Sequence, residues 1–105
     1  MVMNVKDYAK YVVDNMSRAT IGNALRIGLK LDVEDGYNFL EFLKEIELYI
    51  TTLVSQNKYD KNKCYAIFTI ISEATRKYNS NINYTKKYII NDFIIDLWKI
   101  IEGKL

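Results

Sequence analysis

The chain contains no histidine and no proline, and only one cysteine (Cys64) and four glycines among its 105 residues. Each shortage excludes something. Without histidine there is no Ser-His or Cys-His nucleophile pair, no usual general base and no common zinc site. A single cysteine rules out an intrachain disulfide and fits a reducing compartment. Missing proline and scarce glycine suit long helices, because a sheet protein needs a larger supply of turn residues. No apolar run approaches the roughly eighteen residues of a membrane span, and the N-terminus lacks the basic-then-apolar order of a signal peptide. The expectation is a cytoplasmic protein that needs no membrane, metal or cofactor.

What is present is ordinary globular material, 50% hydrophobic and 27% charged, enough for one core and one domain over residues 1–105. The abundance of Ile, Lys, Asn and Tyr points to an AT-rich genome of the kind found in many bacteria, phages and viruses. The net charge of +2 is unevenly spread. Residues 1–31 hold five basic and two acidic side chains, residues 32–60 two and seven, and residues 61–105 eight and four. Such segregation either steers a charged partner or reflects complementarity between neighbouring helices. The second reading is favoured for most of it.

The organising stretch is Tyr37 to Asn57. Its apolar residues Phe39, Leu43, Ile46, Tyr49 or Ile50, then Leu53 and Val54 recur at the three- and four-residue spacing of one helical face. A helix of that length is about 30 Å long, the width of a small domain. Asp32, with Asp35 three positions on, is its expected cap. Before it, Asn4 opens a helix whose inward face is Val5, Ala9, Val12 and Met16. Ser17 is expected to cap a second helix with Ile21, Ala24, Leu25 and Gly28 turned inward. After it, Asp60 caps a helix carrying Cys64, Ile67, Ile71, Ala74 and Tyr78 on one stripe. Thr85 caps a last helix carrying Ile90, Phe93, Ile94, Leu97 and Ile101, which Gly103 ends. These five helices predict an all-α fold: a compact antiparallel helical bundle with three long C-terminal helices and two shorter N-terminal ones packed across them.

Catalytic chemistry is scarce, and no enzyme is expected. Cys64 lies on an apolar stripe, where a thiol serves as a small core residue. The carboxylate pairs Glu41/Glu45 and Asp92/Asp96 have the i, i+4 spacing of metal ligands. Both project to the solvent side, however, and lack the histidines that di-metal bundles add. Gly22 and Gly28 do not form a phosphate loop.

Binding chemistry is better represented. Tyr37 and Leu48 project to the outer face of the third helix, and Tyr88, Ile95 and Trp98 make a second apolar stripe on the fifth. A helix that is apolar on two sides is either enclosed by neighbours or docks on a partner, and Trp and Tyr are favoured interface anchors. The leading expectation is therefore a small non-catalytic protein acting on another protein, or on itself as a homodimer, through Tyr37, Leu48, Tyr88, Ile95 and Trp98. Inhibitors, adaptors, immunity proteins and phage counter-defence proteins have this character. The alternative is a transcriptional regulator that binds DNA through residues 5–31, whose helix, break and second helix have the rhythm of a helix-turn-helix, with Ala9 at the small position of the first helix. Arg18, Asn23, Arg26 and Lys30 would face the duplex, Asn and Arg being the residues that read adenine and guanine. The stretch from Ala9 to Ile21 is about two residues longer than the tight motif allows.

Overall fold

In the computed structural model, which describes residues 3–29, 31, 37–80 and 86–103, Asn4 opens the first helix as its chemistry dictates. Its side-chain oxygen accepts the Asp7 backbone N–H at 2.8 Å and starts α1, Val5–Asn15. A 3₁₀ turn, Met16–Arg18, follows, and Ala19 is extended. The helix α2, Ile21–Leu29, is capped by Thr20, whose Oγ1 accepts the Asn23 N–H at 3.2 Å. Ser17, the expected cap, lies instead inside the 3₁₀ turn. Both residues have the right side chain, and the extended backbone of Ala19 selects Thr20.

The long helix α3 spans Phe39–Ser55, with Asn38 as its cap accepting the Glu41 N–H at 2.9 Å. The expected caps Asp32 and Asp35 lie outside the described residues, and Tyr37 precedes the helix. The far end closes on Asn57, which adopts a left-handed φ of 57°. Asn57 N–H donates to the Val54 carbonyl and Lys58 N–H to the Leu53 carbonyl, so two terminal carbonyls are satisfied without a glycine. Asp60 then caps α4, Lys61–Ser80, through the Asn62 N–H at 2.7 Å. The final helix, α5, runs Lys86–Glu102 and ends at Gly103, whose φ of +77° only glycine adopts freely. The expected cap Thr85 is outside the described residues.

The helices pack in the order α1–α3–α4–α5–α2, and the 3₁₀ turn touches both α1 and α5 to close the circle. Directions follow from named contacts. Phe39 at the start of α3 meets Tyr78 near the end of α4, with ring centroids 5.2 Å apart. Lys63 at the start of α4 donates to the Ile101 carbonyl at the end of α5. These pairs are antiparallel, as expected for short connections. In contrast, Tyr8 meets Phe42 and Asp14 meets Tyr49, so α1 runs parallel to α3. The segment joining them contains all of α2, which is long enough to carry the chain back to the other end.

Phe39, Phe42, Ile46, Ile50, Ile67, Ile90, Ile94 and Leu97 are almost fully enclosed where α3, α4 and α5 meet. The inward stripes of α3, α4 and α5 match their periodicity. The stripe of α2 is rotated: Ala24, Gly28 and Leu31 are buried, while Ile21 is 49% and Leu25 37% exposed. Gly28 lies against α5, where a Cβ would stand 2.6 Å from Asn91 Oδ1. Burial of Ile89, Ile90, Phe93, Ile94, Leu97, Ile100 and Ile101 makes α5 the main contributor to the core, each side chain being worth about 1.5–3 kcal/mol.

Among the described residues Arg76 and Glu73 form an ion pair at 2.9 Å, both exposed on α4, a geometry worth little.

Two tyrosines respond to pH. Tyr49 donates its hydroxyl to Asp14 Oδ1 at 2.6 Å; that bond, with burial and the Asp14 charge, pushes its pKa up to about 12. Tyr59 is pushed up to about 12 by burial and then by Cys64 and Asp60, and its buried hydroxyl has no partner among the described residues. Both folded values exceed the ordinary 10.0. The associated stability is complete below pH 10 and is lost as pH rises through about 12. At neutral pH the Tyr59→Phe variant is expected to gain about 1 kcal/mol, because it removes a hydroxyl that folding leaves unpaired. Across the alkaline range the Tyr49→Phe, Tyr59→Phe double variant should lose less stability than the parent chain. Urea titrations at pH 7, 10 and about 11.5 check both expectations.

Candidate functional site

The five positions expected to bind a partner protein do not share one surface. Tyr37 lies ahead of α3, not on its outer face. Its ring stacks on Tyr8 at 4.8 Å and its hydroxyl donates to the Met3 carbonyl, which ties the start of the chain to the start of α3. Trp98 is half-buried, and its indole N–H donates to the Ala19 carbonyl at 2.8 Å. The second apolar stripe of α5 is thus largely the seat of α2 and the 3₁₀ turn. Ile95 is half-buried beside it, and only Tyr88, 66% exposed, stands well clear. Leu48, 52% exposed, belongs to α3, on the other side of α4.

Leu48 itself borders a cleft with Lys6, Lys10, Tyr49 and Thr52 on the α1 side of α3. One and two turns further along α3 are Thr51 and Ser55, at the i+3 and i+7 spacing that shares a face. These two, with Val54, form one wall of a groove of about 300 Å³. The other wall is the start of α4: Lys61, Cys64, Tyr65 and Phe68. Tyr65 is 67% exposed and Phe68 half-buried, so the groove is apolar and open. Cys64 forms part of its base; burial pushes the thiol pKa up and holds it protonated. Sequence reasoning missed Tyr65 and Phe68. The signal was available, since each sits one position beyond the inward residues Cys64 and Ile67.

The residues expected to face DNA fare differently. Arg18 of the 3₁₀ turn and Asn23 and Arg26 of α2 border one cleft of about 430 Å³ between α2 and α1. Tyr8, Tyr11 and Asn15 supply the α1 side, over a base that includes Val12 and Ile27. Among the described residues no carboxylate lines it. Arg18 and Arg26 are exposed, and neither makes an ion pair or side-chain hydrogen bond among the described residues. Lys30 lies outside the described residues. A helix-turn-helix requires its two helices to support each other. Here α1 rests on α3, α2 rests on α5, and the cleft opens between them.

The carboxylate pairs stay on the outside of the bundle. Glu41 and Asp92 are exposed, and Glu45 and Asp96 half-exposed. The Asp96 carboxyl is raised by burial and by Asp92, against the pull of Lys99 and Lys77. Among the described residues no group of three His, Cys, Asp or Glu is placed to hold a metal ion, and no helix is long and apolar enough to cross a membrane.

No protein-family model matches the chain, and neither a curated protein nor a solved structure resembles it significantly.

Proposed function

We propose that this protein works by binding another protein, without catalysis, through the outer face of α3 and α4. The observation that carries this reading is the open apolar groove between Val54 and Phe68, edged by the exposed Tyr65, with the exposed Leu48 one turn before Thr51 on the same helix. Large apolar side chains grouped on a solvent face are uncommon without an interaction to cover them, and tyrosine is a favoured anchor. A compact helical binder of this kind suits the work of an inhibitor, an adaptor or an immunity or counter-defence protein. It equally suits self-association.

The test uses Leu48→Asp and Tyr65→Asp, with Tyr88→Asp marking the α5 surface instead. All three positions are well exposed, so the variants are expected to keep the parent's unfolding midpoint. Immobilised parent protein should retain a specific partner from extracts of the source cell. Alternatively, light scattering should report twice the 12.4 kDa chain mass. The α3–α4 variants should lose whichever interaction is present, while Tyr88→Asp keeps it. Unchanged partner capture and unchanged mass in both α3–α4 variants would sink the proposal.

Nucleic-acid binding is the second reading, supported by the gathering of Arg18, Asn23 and Arg26 around one cleft that no carboxylate lines among the described residues. Duplex DNA titrated at two salt concentrations addresses it. Binding through phosphates weakens steeply with salt, and Arg26→Ala should weaken it further.

A further inference from the structure

From the cleft between α1 and α2 we infer a nucleotide-binding site: one that takes a 5′-phosphorylated nucleotide, its phosphate held by Arg18 and Arg26 and its base laid on Tyr11. Charge, shape and aromatic surface argue for this independently of the α3–α4 groove. From Ser17 to Leu31 the chain contains Arg18, Arg26 and Lys30 and no acidic residue. The two arginines bordering the cleft have no anionic partner among the described residues. A guanidinium presents a planar fork of donors that fits phosphate oxygens in pairs, so two unpaired forks beside one cavity make a phosphate clamp.

The opening of about 430 Å³ is in the range of small-ligand sites, large enough for a ring and its phosphate. Its α1 wall is aromatic. Tyr8 stacks on Tyr37 at 4.8 Å and on Tyr11 at 6.3 Å, with interplanar angles of 16° and 18°. The nearly parallel column reaches the cleft at Tyr11, 48% exposed. Such a ring is a platform for a nucleobase, because every base has a π-face to stack. Asn23 makes no side-chain hydrogen bond among the described residues, which leaves its carboxamide for the base edge.

Isothermal titration with adenosine 5′-monophosphate at low salt tests the site, with adenosine and inorganic phosphate as its two halves. The mononucleotide should bind saturably, and more tightly than either half. Arg18→Gln and Arg26→Gln should each weaken it about tenfold, and Tyr11→Ala severalfold. All three side chains are exposed, and circular dichroism should report parent-like helix content. A 5′-phosphorylated single-stranded oligonucleotide identifies the source: tighter binding with a steep salt dependence assigns the site to a strand end, and equal affinity to free nucleotide. Absence of saturation by both, or saturation unchanged in the double arginine variant, overturns the inference. So does binding confined to duplex DNA, which would uphold the regulator reading, or to a glutamate-rich peptide, which would make the cleft a carboxylate site.

Discussion

Replacing Trp98 with alanine lowers the thermal unfolding midpoint by about 12 °C, the largest effect expected of any half-exposed position. The indole N–H donates to the Ala19 carbonyl at 2.8 Å, and its ring packs against the core. Ala19 is the extended residue between the 3₁₀ turn and the start of α2, so this bond fixes where α2 begins. Deleting a large aromatic side chain costs about 3–5 kcal/mol, and half-burial places Trp98 near 3. At about 4 °C per kcal/mol for a domain of this size, that gives the stated shift. Trp98→Phe keeps most of the ring contact and loses the hydrogen bond, for about 1 kcal/mol. Differential scanning calorimetry of both variants separates packing from bonding. A Trp98→Ala midpoint within about 3 °C of the parent would show that this residue does not hold α2 in place, and would restore it as a docking residue.

The second large effect belongs to Gly28→Leu, expected to cost about 2 kcal/mol. A Cβ at this position meets Asn91 Oδ1 at 2.6 Å and Ile90 Cγ2 at 3.6 Å. Leucine has to displace more than the tip of Asn91, and overfilling a packed contact costs about 1–3 kcal/mol, with better helix propensity offsetting less than 1. Gly28→Ala is the informative control. Its one methyl group presses only on the end of the Asn91 side chain, which can turn aside. The propensity gain of about 1 kcal/mol then brings the change near zero. Urea unfolding supplies the free energies, and hydrogen exchange of the α2 amides shows whether loosening is confined to that helix. Equal stability for the leucine and parent proteins would mean that α2 does not cross α5 at Gly28.

These two residues also show where reading the chain alone reaches its limit. Asn4, Asp60 and Gly103 could be read directly, because a cap acts on backbone groups two to four residues away. The inward faces of α3, α4 and α5 were legible for a similar reason, since each has enough branched and aromatic residues to define a stripe. In α2 the contact with α5 runs through Gly28 and Asn91, far apart in the chain, and a glycine adds almost nothing to a hydrophobic pattern. Periodicity alone turns Ile21 and Leu25 inward, whereas both are exposed. Tyr37 was misplaced because the start of α3 had competing signals in Asp32, Asp35 and Asn38, and the later one shifts the helix past it. For Trp98 periodicity cannot supply the partner, because the Ala19 carbonyl is 79 residues away. For the candidate sites, the arginines and Asn23 were visible as a type of chemistry. Their meeting with Tyr11 across a cleft depends on α1 and α2 leaning on different long helices. Tyr65 and Phe68 each stand one position beyond the buried Cys64 and Ile67, and only the packing of α3 beside α4 turns them into a groove wall.

The seating of α2 on α5 has a consequence during synthesis. A chain leaving the ribosome at about 5–20 residues per second presents Ile21–Leu29 well before Lys86–Glu102 exists to receive it. The helices α1 and α3 can already associate in that interval, whereas Ala24 and Ile27 must wait in water. The early segment is thus exposed to chaperones and proteases until translation reaches the far side of its own docking surface.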